Sequence, residues 1–258
     1  MNQKIAIVTG GRRGIGGGIS IALSKAGYNI LVVDVEEDDS ARGTMEAVRA
    51  NGAEAAFFRA DVSAIETHDA IIAAAGRLPG RLTCLVNNAG VTSLVRGDML
   101  ELTAQSFDRV MGINLRGSFF LSQAFSKALI GESKRTEAGD FRCIINITSA
   151  NAEILGIERA DYTTSKAALS MVTRLYAARL APHLINVYEI RPGMIRTDMT
   201  ATVAARYDQI VEQGGVPLGR WGEPEDIGQT AAMLAAGHLP YTTGEFIWVD
   251  GGIGLRRA

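Results

Sequence analysis

Tyr162 and Lys166, in the stretch YTTSK, stand four residues apart inside a helical pattern. That spacing sets them on one face of a helix, one turn apart. A tyrosine can give up and take back a proton, but its ordinary pKa of about 10 makes this hard at neutral pH. An ammonium group one turn away favours tyrosinate and lowers that pKa. The pair is a candidate proton relay, although Tyr and Lys at this spacing also occur as plain surface neighbours. Ser149 follows an apolar run upstream. Its hydroxyl could hydrogen-bond a reacting oxygen and hold it near Tyr162.

A second chemical signal lies near the N-terminus. TGGRRGIG, residues 9–16, joins an apolar run to a helical pattern beginning at Ile15. Gly10 suits the tight turn, Gly14 lets backbone approach a pyrophosphate, and Gly16 lets helix and strand pack closely. The helix N-terminus would then aim unpaired N–H groups at the anion. Asp34 lies 18 residues beyond Gly16, at the end of the second apolar run. A carboxylate there can accept hydrogen bonds from both adenosine ribose hydroxyls and repels a 2′-phosphate. Glu36, Glu37, Asp38 and Asp39 follow and read as a solvated loop with helix N-terminal acids. Arg12 and Arg13 leave two readings open. They bind a 2′-phosphate, or they neutralise the diphosphate and pair with Asp34 and its neighbours.

These groups need a scaffold that brings residues 10, 34, 149 and 162 together. Short apolar runs at Lys4–Val8, Ile30–Val33, Ala55–Arg59, Leu82–Val86, Cys143–Ile147, Ile185–Ile190 and Glu245–Val249 read as strands. Helical patterns separate them: Ile15–Ala26, Ser40–Ala50, Ala64–Arg77, a long amphipathic Ala104–Leu129, Asp161–Leu180 and Pro224–Ala235. Strand and crossover helix in alternation predict a doubly wound, Rossmann-type parallel sheet of about seven strands with helices on both faces. Runs such as IAIV, ILVV and IINI are apolar on consecutive residues, as strands buried on both faces must be. Gly10, Asp34, Asp61, Asn87-Asn88, Ser149 and Pro192-Gly193 each follow a strand. All would lie at the carboxyl end of the sheet, where such folds bind ligands. No linker or repeat interrupts the 258 residues, so residues 1–258 read as one domain.

Composition narrows the function classes. A net charge of −2 leaves no electrostatic footprint for nucleic acid. No apolar run reaches the length of a membrane span, and the N-terminus enters a strand-like run without the pattern of a signal peptide. Cys84 and Cys143 sit far apart in the chain within apolar runs and read as reduced core thiols. The three histidines form no metal-ligand pattern. A cytoplasmic protein without metal is the expectation.

The ordered set TGGRRGIG, DV at 61–62, NNAG at 87–90, IN at 113–114, ITS at 147–149, YTTSK, RPGMIRT at 191–197 and TGEFIWVDGG at 243–252 resembles the short-chain dehydrogenase/reductase family over essentially the full length. The similarity is greatest to bacterial 3-oxoacyl-acyl-carrier-protein reductase-like members and their sugar and polyol dehydrogenase relatives. It implies hydride transfer between a nicotinamide cofactor and a ketone or secondary alcohol, with Asn114, Ser149, Tyr162 and Lys166 as the catalytic set. Lys166 would also bind the nicotinamide ribose, and Asn114 would anchor a water extending the relay. Helix-interior Asn114 could instead bond locally. Asp61 and Val62 resemble the pair flanking adenine. An N-cap is a competing role for Asp61, and one better filled by Ser63. Asn88, Ala89 and Gly90 would line the adenosine side. Pro192, Gly193, Ile195 and Thr197 resemble the segment that orients the nicotinamide carboxamide. The poorly patterned stretch 194–221 has the position of the family's substrate lid.

Asp34 favours NAD, with NADP possible. The resemblance makes a 3-oxoacyl-carrier-protein reductase the first reading and an NAD-dependent sugar or polyol dehydrogenase the second. A non-catalytic dinucleotide-binding sensor is a third, disfavoured by the four-residue catalytic set. Partners would be a small carbonyl or alcohol, possibly a carrier-bound acyl group, and copies of the same chain in a homotetramer. Several residues depart from common patterns. Tyr188 and Glu189 sit late in a strand, where a glutamate needs a partner. Asn151, Glu153 and Glu158 follow Ser149, and Arg96, after NNAG, could meet an anionic substrate. These last four read as solvated loop residues. Thr148 points away from Ser149 if the strand continues.

Overall fold

The computed structural model describes residues 3–132 and 140–255. The strands are β1 (Lys4–Thr9), β2 (Tyr28–Asp34), β3 (Ala55–Arg59), β4 (Arg81–Asn87), β5 (Arg142–Ile147), β6 (Ile185–Pro192) and β7 (Phe246–Val249). They form one seven-stranded sheet in the order β3-β2-β1-β4-β5-β6-β7, and every pairing is parallel. The chain winds outward from β1 in one direction and from β4 in the other. A crevice opens between these two strands at their carboxyl ends.

The principal helices are α1 (Gly14–Lys25), α2 (Asp39–Ala50), α3 (His68–Ala75), α4 (Ala104–Met111), α5 (Ser118–Glu132), α6 (Ala160–Leu180), α7 (Asp198–Ala201), α8 (Ala204–Glu212) and α9 (Pro224–Ala235). Strand alternation divides the core in two. Ala6, Val8, Ile30, Val32, Val86 and Ile145 pack with Ile19 and Leu23 of α1, Val48 of α2 and Ile227 and Leu234 of α9. Ile5, Ile7, Leu31, Val33, Leu85 and Ile144 face the other way, onto Ile71 of α3, Leu121 and Phe125 of α5 and Leu180 of α6. This two-sided burial explains the uninterrupted apolar runs.

Two sequence expectations change. The long helix expected over Ala104–Leu129 is not uniform: residues Gly112–Gly117 form a π-helical turn between α4 and α5. The wider turn carries Asn114 and, like many such insertions, lies beside the chemistry. The lid region is not patternless. It holds α7 and α8, and Ala204, Tyr207 and Ile210 of α8 close a small apolar cluster with Met194, Val216 and Trp221. Short elements spread that pattern over a long stretch, so no single window displayed it. Cys84 and Cys143 lie close together. They are fully buried unbridged thiols, as expected. Despite their separation in sequence they are register partners on β4 and β5, with sulfurs 3.7 Å apart.

Candidate active site

Four of the six expected strand-end positions, at Gly10, Asp34, Asp61 and Asn88, line a cleft of about 610 Å³ at the carboxyl edge; Ser149 and Pro192-Gly193 do not line it. Its walls include Gly10, Arg12, Arg13, Gly14, Ile15, Gly16, Asp34, Asp61, Val62, Asn88, Ala89, Gly90, Thr148, Tyr162, Lys166 and Thr197.

One end is built from the glycine turn. Gly16 packs so tightly that a Cβ there would lie 2.0 Å from the Gly10 carbonyl oxygen. Gly14 adopts φ +54°, and a Cβ on it would touch the Thr197 side chain at 3.4 Å. α1 starts here with no side-chain cap and no acid in its first turn, so its free N–H groups and dipole suit an anion. The Asn88 amide donates to the carbonyls of Thr9 (2.9 Å) and Gly10 (3.1 Å), locking the turn. A closely packed backbone cradle at an uncapped helix start, with a carboxylate at the next strand end, fits a dinucleotide.

Asp34 ends β2 with its side chain 12% exposed. Its carboxylate accepts from Val35 N at 2.9 Å and Arg12 N at 3.4 Å, and the Arg12 guanidinium lies 3.4 Å away. Burial raises its pKa, opposed by the Val35 N–H and by Arg12. Arg12 also pairs with Glu36 and Asp38, and Asp38 caps α2 through Ala41 N at 3.0 Å. The two arginines therefore separate. Arg12 joins the acidic corner, whereas Arg13 reaches across the cleft to Asp198 of α7 at 2.6 Å. Asp61 caps its own turn, accepting from both the N–H and the hydroxyl of Ser63 at 2.8 Å, so Ser63 is a donor there and not the cap.

The other end holds the proton-relay candidates. Ser149 follows β5 and caps the turn Ala150–Ala152, its oxygen accepting from Asn151 N at 3.1 Å. That bond uses a lone pair, and the O–H is turned to Tyr162, where its hydrogen bond favours tyrosinate. Tyr162 lies in the first turn of α6, its ring 5.7 Å from Lys166 Nζ. Lys166 is buried and donates to the Ile147 carbonyl at 2.9 Å. Asn114 accepts from Val91 N at 2.8 Å and donates to Val91 O and Ser165 Oγ, each at 3.0 Å. Its amide therefore pins the loop after β4, as local bonding would have it. Asn114 Oδ1 and Lys166 Nζ nonetheless converge on Gly90, where a Cβ would meet them at 3.3 and 3.4 Å.

Pro192, Gly193 and Ile195 do not line this cleft. Pro192 closes β6, Gly193 N donates to Val249 O at 3.0 Å, and Ile195 is buried and bridged to Gly222. They hold the segment that presents Thr197.

Burial raises the Tyr162 pKa, and nearby Ser149, Arg159 and Arg96 hold it back. Burial also lowers Lys166 to about 8, with Glu189 opposing. The cation expected to activate Tyr162 is thus itself weakened, and Arg159, whose guanidinium carbon lies 5.5 Å from the ring centroid, joins it.

Several participants were missed in the sequence or read as solvated. Glu189 is buried and accepts from Thr148 Oγ1 (2.8 Å), Ser170 Oγ (2.7 Å) and Arg191 Nε (2.6 Å). Arg191, equally buried, donates onward to Glu153 at 2.7 Å and stacks on Phe246. Tyr188 is core, its hydroxyl donating to Leu239 O at 2.7 Å. Asn151 is buried and donates to Ile154 O, shaping the turn after Ser149. Glu158 pairs with Arg206. Asp161, fully buried, receives hydrogen bonds from Ser93, Ser106 and the Tyr162 N–H. The signal for Glu189 and Asp161 was a carboxylate inside an otherwise buried segment, which must find donors.

This fold and cleft define a dinucleotide-dependent oxidoreductase, and the comparisons agree. Residues 10–254 match the family model described as enoyl-(acyl carrier protein) reductase. The chain is 37% identical over 253 residues to 2-dehydro-3-deoxy-D-gluconate 5-dehydrogenase of Dickeya dadantii, covering 98% of this chain and 96% of that one. A 3-oxoacyl-[acyl-carrier protein] reductase from Brucella melitensis, solved in complex with NAD, is 43% identical over all of both chains with a TM-score of 0.94. A protein of Agrobacterium tumefaciens described as a candidate 2-deoxy-d-gluconate 3-dehydrogenase, with bound NADP, is 31% identical over 98% of this chain and 97% of that one, at a TM-score of 0.86. The chain belongs to the short-chain dehydrogenase/reductase family and acts on CH–OH and C=O groups.

Proposed function

We propose that this protein interconverts a ketone and a secondary alcohol with NAD as the preferred cofactor. The observation that carries the reading is one cleft with Asp34 and the glycine turn at one end and Tyr162 and Lys166 at the other, with Ser149 in hydrogen-bond contact with Tyr162. The bound nicotinamide ring would supply or accept the hydride. Gly10, Gly14, Ile15 and Gly16 would hold the diphosphate, and Asp34 the adenosine ribose. Asp61, Val62, Asn88, Ala89 and Gly90 would flank the adenosine, and Thr197 the nicotinamide. Ser149 donates to the substrate oxygen and fixes it beside Tyr162. Tyr162 gives that oxygen a proton in reduction and removes it in oxidation. Lys166 holds the ribose and moves the proton onward. Asn114 keeps the Val91 loop and Gly90 in place beside it. Segment 194–221 serves as a substrate lid, tied to the glycine turn through Arg13 and Asp198.

For the substrate, we rank a small hydroxylated compound of the sugar or polyol class first. The charged residues Glu153, Glu158, Arg159 and Arg96 on the loops after β4 and β5, with Arg159 against the Tyr162 ring, support this. The carrier-bound 3-oxoacyl reading is supported by exposed Leu94, Val95, Met99, Leu100, Leu155 and Ile157 on the loops after β4 and β5. The test is a screen of both substrate classes with NADH and NADPH, read at the nicotinamide absorbance. Turnover of neither class would refute the reading.

We also propose a homotetramer, supported by half-exposed Met171 and Leu175 on α6 and Phe107 on α4. Light scattering at micromolar concentration would refute it with a monomeric mass. A cytoplasmic location is supported by the unbridged Cys84 and Cys143 thiols in contact. Among the described residues, no helix is long and apolar enough to cross a membrane.

A further inference from the structure

The charges on the segments that flank Tyr162 and α7 are mostly accounted for. Glu153 is bound by Arg191, Glu158 by Arg206, and Asp198 by Arg13. Two guanidiniums differ. Among the described residues, neither Arg96 nor Arg159 makes an ion pair or a side-chain hydrogen bond. Arg159 precedes α6 and caps nothing with its side chain. Its guanidinium lies over the Tyr162 ring, 5.5 Å from the centroid. Its Nε is enclosed and without a partner, whereas its terminal nitrogens are not enclosed. Gly156 makes room for it, since a Cβ there would lie 3.2 Å from that Nε. Arg96 stands on the loop after β4, which is held beside Arg159 by its neighbour Gly97, whose N–H donates to the Glu158 carbonyl at 3.1 Å. The Glu158 carboxylate, next to Arg159 in sequence, accepts from Arg206 at 2.7 Å.

A guanidinium held without an anion, stacked on the residue that handles the proton, is an arrangement that recognises a planar carboxylate with its free donors. We propose that Arg159, assisted by Arg96, is a carboxylate-binding subsite, so that the ketone or alcohol handled here is an oxo acid or hydroxy acid. Its carboxylate lies a few bonds from the reacting carbon. This rests on the ketone–alcohol reading of the same cleft and narrows its substrate class. Ser149 and Tyr162 hold the reacting oxygen while Arg159 holds the far end, which fixes which hydroxyl of a polyhydroxylated acid is presented.

The test uses matched pairs of neutral and anionic probes: D-gluconate with D-gluconamide, and short hydroxy acids with their amides. Each is titrated calorimetrically into the protein saturated with cofactor, and turnover is read in the same samples. Acids bind at least tenfold tighter than their amides in the unaltered protein. Arg159→Met abolishes that preference and leaves amide binding within threefold, while Arg159→Lys keeps part of it. Arg96→Gln reduces it less. Equal binding of acids and amides across the panel overturns the subsite. So does an Arg159→Met variant that weakens both alike or only shifts the pH profile of turnover, which marks a role through Tyr162 alone. Acid-selective binding with no turnover of any probe contradicts the reaction and leaves the subsite standing. Turnover without acid selectivity does the reverse.

Discussion

Replacing Asp34 with serine should convert the cofactor preference, and the structure sets the scale. The carboxylate is 12% exposed and has Arg12 3.4 Å away. Asp38 and Glu36 crowd the same guanidinium, so three carboxylates share one cation. A phosphate charge brought within about 5 Å of Asp34 costs about 3 kcal/mol per unit at an effective dielectric near 20. A 2′-phosphate carries almost two such charges. Arg12 offsets part of this, and salt and partial exposure screen more. The residue of the penalty is on the order of 2–3 kcal/mol, or about 30- to 100-fold in affinity. Asp34→Ser removes that repulsion and releases Arg12, and it also deletes the acceptor for the NADH ribose. The ratio of NADPH to NADH affinity should rise by about 30- to 100-fold, measured by nicotinamide fluorescence titration without substrate. Adding Arg12→Ala should reverse the gain. Adding Arg13→Ala should change it little, because Arg13 is turned to Asp198. Tighter NADPH than NADH binding by the unaltered protein would refute the reasoning, as would a ratio that ignores Asp34→Ser.

Two further outcomes follow from the buried charges. Glu189→Gln leaves the buried Arg191 guanidinium with Glu153 as its one carboxylate partner and should cost about 1–3 kcal/mol, read as a lower urea midpoint; an unchanged midpoint would contradict the network. Lys166→Met tests the lowered lysine pKa. Folded Lys166 releases its proton near pH 8 and the unfolded chain near about 10.4. The ammonium therefore destabilises the fold fully below about pH 8, and the penalty fades as pH rises through that window. The melting temperature of Lys166→Met relative to the unaltered, cofactor-free protein should be higher at pH 7 than at pH 10. A difference that does not change with pH would mean Lys166 titrates as an ordinary lysine.

The sheet was legible because strands buried on both faces leave apolar runs that punctuation residues separate cleanly. Gly27 and Asn51-Gly52 stopped their helices where expected. The pole of the sheet was legible for a related reason: Gly10, Asp34 and Ser149 interrupt the pattern where a chain leaves its strand. Contacts between side chains distant in sequence were not. Nothing local tells that Arg12 folds onto Asp38 while Arg13 spans to Asp198. Nor does the sequence announce that Glu189 finds Thr148, Ser170 and Arg191. The π-helical turn at Asn114 escaped because its residues keep a helical pattern and differ only in hydrogen-bond register. Arg159 carries no signal of its own in the sequence, and only the fold sets it above the Tyr162 ring.

Tyr162→Phe tests the proton relay most directly, since it deletes the hydroxyl and keeps the ring under Arg159. On a substrate turned over by the unaltered protein, kcat should fall by about two to four orders of magnitude, with NADH affinity in a fluorescence titration changed by less than about threefold. Near-full turnover by this variant would contradict the assignment of Tyr162 as the proton donor and acceptor.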